Sequence, residues 1–319
     1  MKPLYLSEYR HVLLLLGLLP IFVVTFAQQA FHGVHVHYKF ENDFLSLDMK
    51  GTDRYYTGGN RLGVNFAGKK RPYTLHTITM NVEIYTARGI SRTPDMLTID
   101  DYPYNGLSYL SYRNTRLTDD HKNLFRWGVA AGLSGSHSYA REMQVMMHKV
   151  IHYRLPLGWD SQLEPGPYLQ IGGEHTYSWY AGRFLKFNTV ASMEWGTTFN
   201  RVTVGTELKI GRNGFNFNEY ELQVLPKMTG KRSGINAFIR PTITGVLYNR
   251  LLELENEKIS TENGGTEKRD VQRLVAGFSA GVIFYGKRMG IGLVQHANGR
   301  EFRAAGPHKY GEVDFIWRF

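Results

Sequence analysis

From about residue 31 to its end this chain alternates, and that alternation limits its fold more than any other feature. Arg201 to Ile210 places Val202, Val204, Leu208 and Ile210 on one face together with Thr206, and Thr203, Gly205, Glu207 and Lys209 on the other. Thr77 to Tyr85 sets Ile78, Met80, Val82 and Ile84 against Thr79, Asn81 and Glu83. Phe125, Trp127, Val129, Ala131 and Leu133 likewise oppose Arg126, Gly128, Ala130 and Gly132. A period of two is that of a strand, whose successive side chains point to opposite faces. An apolar face backed by a polar or small one belongs to a transmembrane β-barrel, and also to a soluble sandwich. There is no heptad pattern, and the mean hydropathy of −0.33 excludes a bundle of membrane helices, which needs repeated apolar runs of ~20 residues. Aromatic residues at 13% and charged residues at 21% exclude low-complexity disorder.

Two features favour the barrel. Lys2 and Arg10 flank the opening segment, Val12 to Phe26 is an almost unbroken apolar run, and Ala27 precedes Gln28-Gln29. A charged start, an apolar stretch short for a span and a small residue at the cut describe a signal peptide over residues 1–27. A short membrane anchor is the other reading of such a run. The remaining 28–319 form one domain. At the other end, Val313 to Phe319 carries aromatics on one face and a terminal phenylalanine, and resembles the last strand of outer-membrane proteins. The expectation is an all-β transmembrane antiparallel barrel in the outer membrane of a Gram-negative cell, with a short α-helix in an external loop.

Strands are expected near 31–42, 59–68, 75–86, 105–114, 123–134, 166–181, 184–198, 201–211, 235–248, 271–285, 289–298 and 307–319. Bacterial single-chain barrels have an even number of strands, short periplasmic turns and longer external loops. The stretch 215–226 would make thirteen. Read as irregular, it leaves twelve, puts the charged segment 252–270 outside the cell and assigns Lys69-Lys70-Arg71 to a periplasmic turn. The 34 glycines and 20 tyrosines suit small inward positions and interfacial girdles. The formal charge of +10, about +9 without the signal peptide, suits an anionic leaflet of phosphorylated lipid. No interleaved basic and aromatic module points to nucleic acid, and no protein partner is expected, so the barrel is read as a monomer.

One segment breaks the pattern. Ser138 to Ile151 has no Gly or Pro, is rich in Met, Gln and Glu, and opens on a serine able to cap it, so it reads as a helix of three to four turns. Gln144 and His148, four apart, share one face, while Met143, Met146, Met147 and Val150 cluster largely on another. Standing alone, such a histidine is a surface or packing residue. Near the first strand's end, Glu41-Asn42-Asp43-Phe44 and Thr52 to Gly59 offer hard oxygen donors suited to Ca²⁺, although Asn, Asp and Gly at strand ends are also ordinary turn residues. His35 and His37 share a face, on the lumen side; a zinc pair is one reading, with no third ligand evident.

Five motifs occur in order: Glu41-Asn42-Asp43; Thr52-Asp53-Arg54-Tyr55-Tyr56-Thr57; Asp101-Tyr102-Pro103-Tyr104-Asn105-Gly106; the Gln144 and His148 helix; and Gly158-Trp159-Asp160-Ser161-Gln162. Together they resemble the lipid A deacylases of the LpxR type, outer-membrane enzymes that remove the 3′-linked acyl chains of lipid A. The resemblance runs from about residue 35 to the terminus. It implies a twelve-stranded barrel, Ca²⁺ dependence and a site between the barrel wall and the loop helix. His148 would be the general base with Gln144 beside it, and Asn42, Asp43 and the Thr57 turn would hold the metal. Gly58 departs from the family's Asn after Tyr-Thr, and Tyr102 and Asn105 stand where Arg and Ala are usual.

The chain contains no cysteine, which removes disulfides, thiolate metal sites and a cysteine nucleophile together. Other outer-membrane hydrolases use a His-x-Ser-Asn-Gly stretch; Gln295 to Gly299 comes close, but Ala297 and Asn298 follow His296 without a serine. The remaining scheme is a water deprotonated by His148, whose ordinary pKa near ~6.5 suits a base at neutral pH, with Ca²⁺ stabilising the oxyanion. Two further readings stay open: a non-catalytic pore or structural barrel, and a phospholipase acting on glycerophospholipid.

Overall fold

The computed structural model describes residues 32–47, 53–67, 73–89, 91–98, 100–182, 184–211, 233–254, 269–286 and 288–318. The expected signal peptide, the stretch 215–226, Lys69-Lys70-Arg71, Phe319 and most of 252–270 lie outside these residues.

Twelve antiparallel strands close into a barrel, each paired with its sequence neighbours and the last with the first. They are β1 (His32–Asn42), β2 (Tyr55–Ala67), β3 (Thr74–Thr86), β4 (Asn105–Leu117), β5 (Asn123–Ser134) and β6 (Gly166–Ala181). The second half comprises β7 (Leu185–Gly196), β8 (Phe199–Gly211), β9 (Gly234–Asn249), β10 (Leu274–Tyr285), β11 (Met289–Asn298) and β12 (His308–Arg318). Closure runs from His35 opposite Arg318 to Asn42 opposite Gly311, so no sheet edge is left. The shortest strand has 10 residues and the longest 16, enough for a tilted span of ~9–11.

Every expected strand is present. The largest shift is at β2, which begins at Tyr55 rather than near 59. Its pairing with β3 jumps from Tyr56 opposite Tyr85 to Gly58 opposite Ile84, leaving Thr57 as the extra residue of a bulge. A bulge inverts the alternation at that point, which hides the strand's first residues from a period-two reading.

The expected polarity holds. On β5, Phe125, Trp127, Val129 and Leu133 are exposed on the outer wall, and Arg126 faces inward beside Glu174. Inside, carboxylates meet cations. Lys39 Nζ lies 2.9 Å from Glu312 Oε1, and Arg61 Nη2 lies 3.2 Å from Glu41 and 3.3 Å from Glu83. Glu207 accepts from Asn188 at 2.9 Å and from Arg240 Nε at 2.8 Å, with Lys209 Nζ at 3.1 Å. At the end that carries the longer loops, Tyr55, Tyr85, Tyr102, Leu107, Tyr168, Phe199 and Phe302 form a buried cluster across the lumen. Tyr102 stacks on Tyr85 with ring centroids 5.8 Å apart, so this departure from the family's usual Arg contributes an aromatic layer to the closure. His35 and His37 are both buried, and His37 Nδ1 accepts from Asn65 at 2.9 Å.

The loop between β5 and β6 carries helix α1 (Ala140–Val150). Ser138 is not its cap. Tyr139 takes that position in the left-handed region (φ 57°) without a capping side chain, and Ser138 closes the preceding turn by donating to Gly135 O at 2.7 Å. The helix lies against the outer face of β3 and β4. A Cβ on Gly106 would stand 2.1 Å from Ala140 Cβ, so this glycine permits the close approach. Met143 packs on a buried cluster that includes Val82, Ile84, Tyr104 and Trp159. A second short helix, α2 (Arg250–Glu253), begins the loop after β9.

Candidate active site on the outer wall

Where β1 ends, the Asn42 side chain accepts the Phe44 N–H at 2.8 Å and so starts a single 3₁₀ turn, Asp43–Leu45. That turn buries Asp43. Its Oδ2 accepts the Arg54 N–H at 3.1 Å, whereas its buried Oδ1 has no partner among the described residues. The chain returns through Asp53, whose carbonyl accepts the Gly89 N–H at 2.9 Å, and Tyr55 turns into β2 at φ 58°. The bulge then presents Thr57, buried, with its hydroxyl 2.5 Å from that of Thr86.

From the other side α1 supplies Gln144 and His148, both buried, one turn apart on the face that meets the barrel. Trp159 Nε1 donates to Gln144 Oε1 at 2.7 Å, which fixes the amide so that its Nε2 donates to Asp53 Oδ2 at 2.8 Å. The same carboxylate oxygen lies 3.2 Å from His148 Nε2. His148 Nδ1 donates to the Arg154 carbonyl at 2.5 Å, so Nδ1 holds the proton of the neutral ring and Nε2 is the basic nitrogen.

The end of α1 fixes this histidine further. His152 is left-handed (φ 55°), its N–H donates to Lys149 O at 3.3 Å, and the Tyr153 N–H donates to His148 O at 2.8 Å. That is a Schellman motif with histidine where glycine is usual. Its customary side-chain contact is here the Tyr153 ring edge-on to the His148 imidazole, 5.4 Å between centroids. Tyr55, Tyr139 and His152 are three of the four non-glycine residues at positive φ among the described residues, and all three bracket this site. Strain of that kind, of order 1–3 kcal/mol each, gathers where surrounding contacts over-determine a functional geometry.

Charge is unbalanced here. Burial and the facing Asp53 carboxylate push the Asp43 carboxyl up to about 8, against the lowering influence of the Arg54 and Phe44 N–H groups. Burial alone would lower the His148 pKa; the hydrogen bonds to Asp53 and Arg154 and the Asp53 charge outweigh it, and the net direction is up. Two confronted carboxylates and an unmatched Asp43 oxygen suit a hard divalent cation. Asn42 and Thr57, the other expected ligands, add oxygen donors whose present partners are the Phe44 N–H and Thr86. The donor set fits Ca²⁺ chemistry.

All five expected site residues thus come from the two segments that meet here. Asp53, which links Gln144 to His148, Trp159, which orients Gln144, and the Arg154 carbonyl were not assigned roles from the sequence. Asp53 and Trp159 do lie inside the quoted motifs, whereas a backbone carbonyl leaves no trace in residue identities. Of the departures, Gly58 pairs with Asn42, and a Cβ there would stand 2.9 Å from Glu41 O. Asn105 is buried with neither amide atom partnered among the described residues. A second cluster, Glu41, His296 and Glu312, brings its donor atoms within 4.8 Å of one another inside the lumen, where Lys39 and Arg61 already pair both carboxylates.

The model of the family described as outer membrane protein LpxR matches residues 13–319. Among solved structures, LpxR from Salmonella typhimurium superposes with a TM-score of 0.75 at 16% identity, over 89% of this chain and 100% of that one. The NanC porin gives a TM-score of 0.42 at 8% identity, covering 90% and 100% of the two chains. The translocator domain of the autotransporter NalP from Neisseria meningitidis gives 0.40 at 14%, covering 98% of each. No curated protein matches the chain. With its twelve strands closed and its motifs gathered on the outer wall, the chain belongs to the LpxR family of outer-membrane proteins.

Proposed function

We propose that this protein is an esterase of the outer membrane that removes the 3′-linked acyl chains of lipid A by attack of a water that His148 activates. One observation carries the reading: buried His148 and Gln144 are joined through half-buried Asp53 on the outer face of the barrel, beside an Asp43 oxygen that has no partner among the described residues. Family membership supports the lipid A context.

The chemistry follows from the hydrogen bonds. Arg154 holds the proton on Nδ1, so Nε2 takes a proton from water as the oxygen attacks the ester carbonyl. The imidazolium that forms is stabilised by Asp53, which Gln144 and, through it, Trp159 keep in place. As the tetrahedral species collapses, Nε2–H returns its proton to the departing sugar oxygen, releasing a fatty acid and a free hydroxyl. Ca²⁺ held by Asp43 with Asn42 and Thr57 would polarise the ester carbonyl and stabilise the oxyanion. A serine route is disfavoured: Ser279 Oγ does lie 2.9 Å from His296 Nδ1, but this pair faces the lumen, away from lipid.

Mass spectrometry of lipid A from cells expressing the protein, with and without a chelator, tests the reading. Loss of 3′-linked acyl groups that chelation prevents is expected. Unchanged lipid A in cells with folded barrel sinks it, and acyl loss from glycerophospholipid offered alongside would redirect it to a phospholipase.

A further inference from the structure

The face of the loop turned away from the barrel has an unusual composition. After the site residues of α1 come Val150 and Ile151, 70% and 65% exposed, then Tyr153, Leu155 and Leu157, all exposed, with exposed His152 and Arg154 alternating among them. On the opposite lip of the site, Phe44 and Leu47 are 76% and 80% exposed. Single exposed apolar side chains are ordinary, whereas a contiguous set flanking a site marks an interaction surface.

Its position identifies the occupant. The loop leaves β5 after Leu133 and rejoins the barrel in β6 ahead of Leu169 and Ile171, which are exposed on the lipid-facing wall of this outer-membrane barrel. Because α1 sits on the outer face of β3 and β4, its exposed flank continues that wall. The exposed Lys149 and Arg154, interspersed with these apolar side chains, suit anionic headgroups at the rim of that wall. The segment is also tied to His148, through the Arg154 carbonyl on Nδ1, the Tyr153 N–H on the His148 carbonyl and the Tyr153 ring on the imidazole.

We propose that residues 150–157, with Phe44 and Leu47, are immersed in the acyl layer of the outer leaflet, and that this lipid contact holds His148 in its working orientation. Immersion stands on the exposed apolar surface alone; its effect on His148 rests on the esterase reading. The site would then be complete only when lipid is against it.

The absence of cysteine makes the test clean. Ile151→Cys and Leu155→Cys, each carrying a nitroxide, are compared with Asp119→Cys in the β4–β5 turn, in full-length barrel reconstituted into phosphatidylethanolamine–phosphatidylglycerol vesicles. Labels at 151 and 155 should collide with oxygen and show a several-fold loss of collisions with a water-soluble nickel chelate relative to 119. Nickel access equal to that at 119 overturns immersion. Shielding from both reagents also overturns it, pointing to a covering second copy of the chain. The pair Ile151→Asp with Leu155→Asp, checked for barrel folding by heat-dependent gel mobility, should lose at least ~10-fold in lipid A deacylation, since a misplacement near 1 Å costs up to ~10². Full activity in that variant overturns the hold on His148. Immersed labels in a protein with no deacylase activity of its own would remove the esterase reading and leave immersion standing.

Discussion

His148 on the outer wall and His296 in the lumen each lie within about 3.3 Å of a carboxylate, yet their surroundings differ in charge balance. Glu312, beside His296, is also met by Lys39 at 2.9 Å, and its neighbour Glu41 by Arg61 at 3.2 Å. This group borders a cavity of about 250 Å³ in the lumen, lined by further paired charges such as Glu207 with Arg240. On the outer wall the order is reversed: Asp53 and Asp43 face each other, and Asp43 Oδ1 has no partner among the described residues. A buried charge with its counter-charge maintains a fold; removing one partner leaves the other stranded. Like charges held together by strained backbone need something further to balance them, which is the signature of a binding or catalytic site.

The largest test of this contrast is a pair of alanines. His148→Ala should lower lipid A deacylation by ~10²-fold or more, while His296→Ala should leave it within a few-fold. The reverse pattern would move the chemistry into the lumen.

Next come the carboxylates. Glu207→Gln strands Lys209 and Arg240 and should cost about 3 kcal/mol or more in denaturant unfolding of the refolded barrel. Asp43→Asn should do the opposite. A carboxyl raised to about 8 in the folded state opposes folding increasingly as pH rises from its unfolded value of 3.8, so the chelated variant should resist denaturant better than the chelated parent at pH 8. It should also bind calcium at least ~10-fold more weakly, since a charged oxygen ligand is lost. A parent more stable than Asp43→Asn in chelator would mean that Asp43 is satisfied by the fold.

A smaller effect separates Asp53 from a purely structural acid. Because His148 is raised, its contribution to stability is present below the ordinary ~6.5 and fades as pH rises through the folded value. Only the neutral ring acts as base, so the acid limb of kcat/KM should lie above ~6.5. Asp53→Asn removes the raising influences of that carboxylate and leaves burial, which lowers the pKa and is the largest influence, opposed only by the Arg154 hydrogen bond, so the limb should move downward. An unmoved limb with a lower kcat would reduce Asp53 to a packing role. The smallest change is Gly58→Ala. Its methyl, 2.9 Å from Glu41 O, must displace the Asn42 strand end, and a few-fold weaker calcium titration with unchanged barrel folding is expected.

Much of the site was legible as residue types in order. Asn42, Asp43, Thr57, Gln144 and His148 lie in distinct sequence segments, and the helical spacing of the last two put them on one face. Asp53 was inside a quoted run without a role, because one carboxylate among several in a loop looks the same whichever way it points. The Schellman motif was hidden because His152 occupies a position that glycine usually signals. The bulge at Thr57 was hidden because it breaks the very periodicity by which β2 is found.

Alternation, length and the missing cysteine were properties of the chain alone. Alternation, with the opening apolar run and the aromatic last strand, pointed to a closed barrel, because period two forces one apolar and one polar face and only closure removes the edges in lipid; the even-number rule set twelve strands, and the missing cysteine bore only on the chemistry. Which side of that wall the helix occupies, and which histidine stands beside an unmatched carboxylate, only the tertiary structure decided. Both depend on contacts between segments as much as 91 residues apart, such as Gln144 with Asp53, and a local pattern carries no record of distance across the barrel.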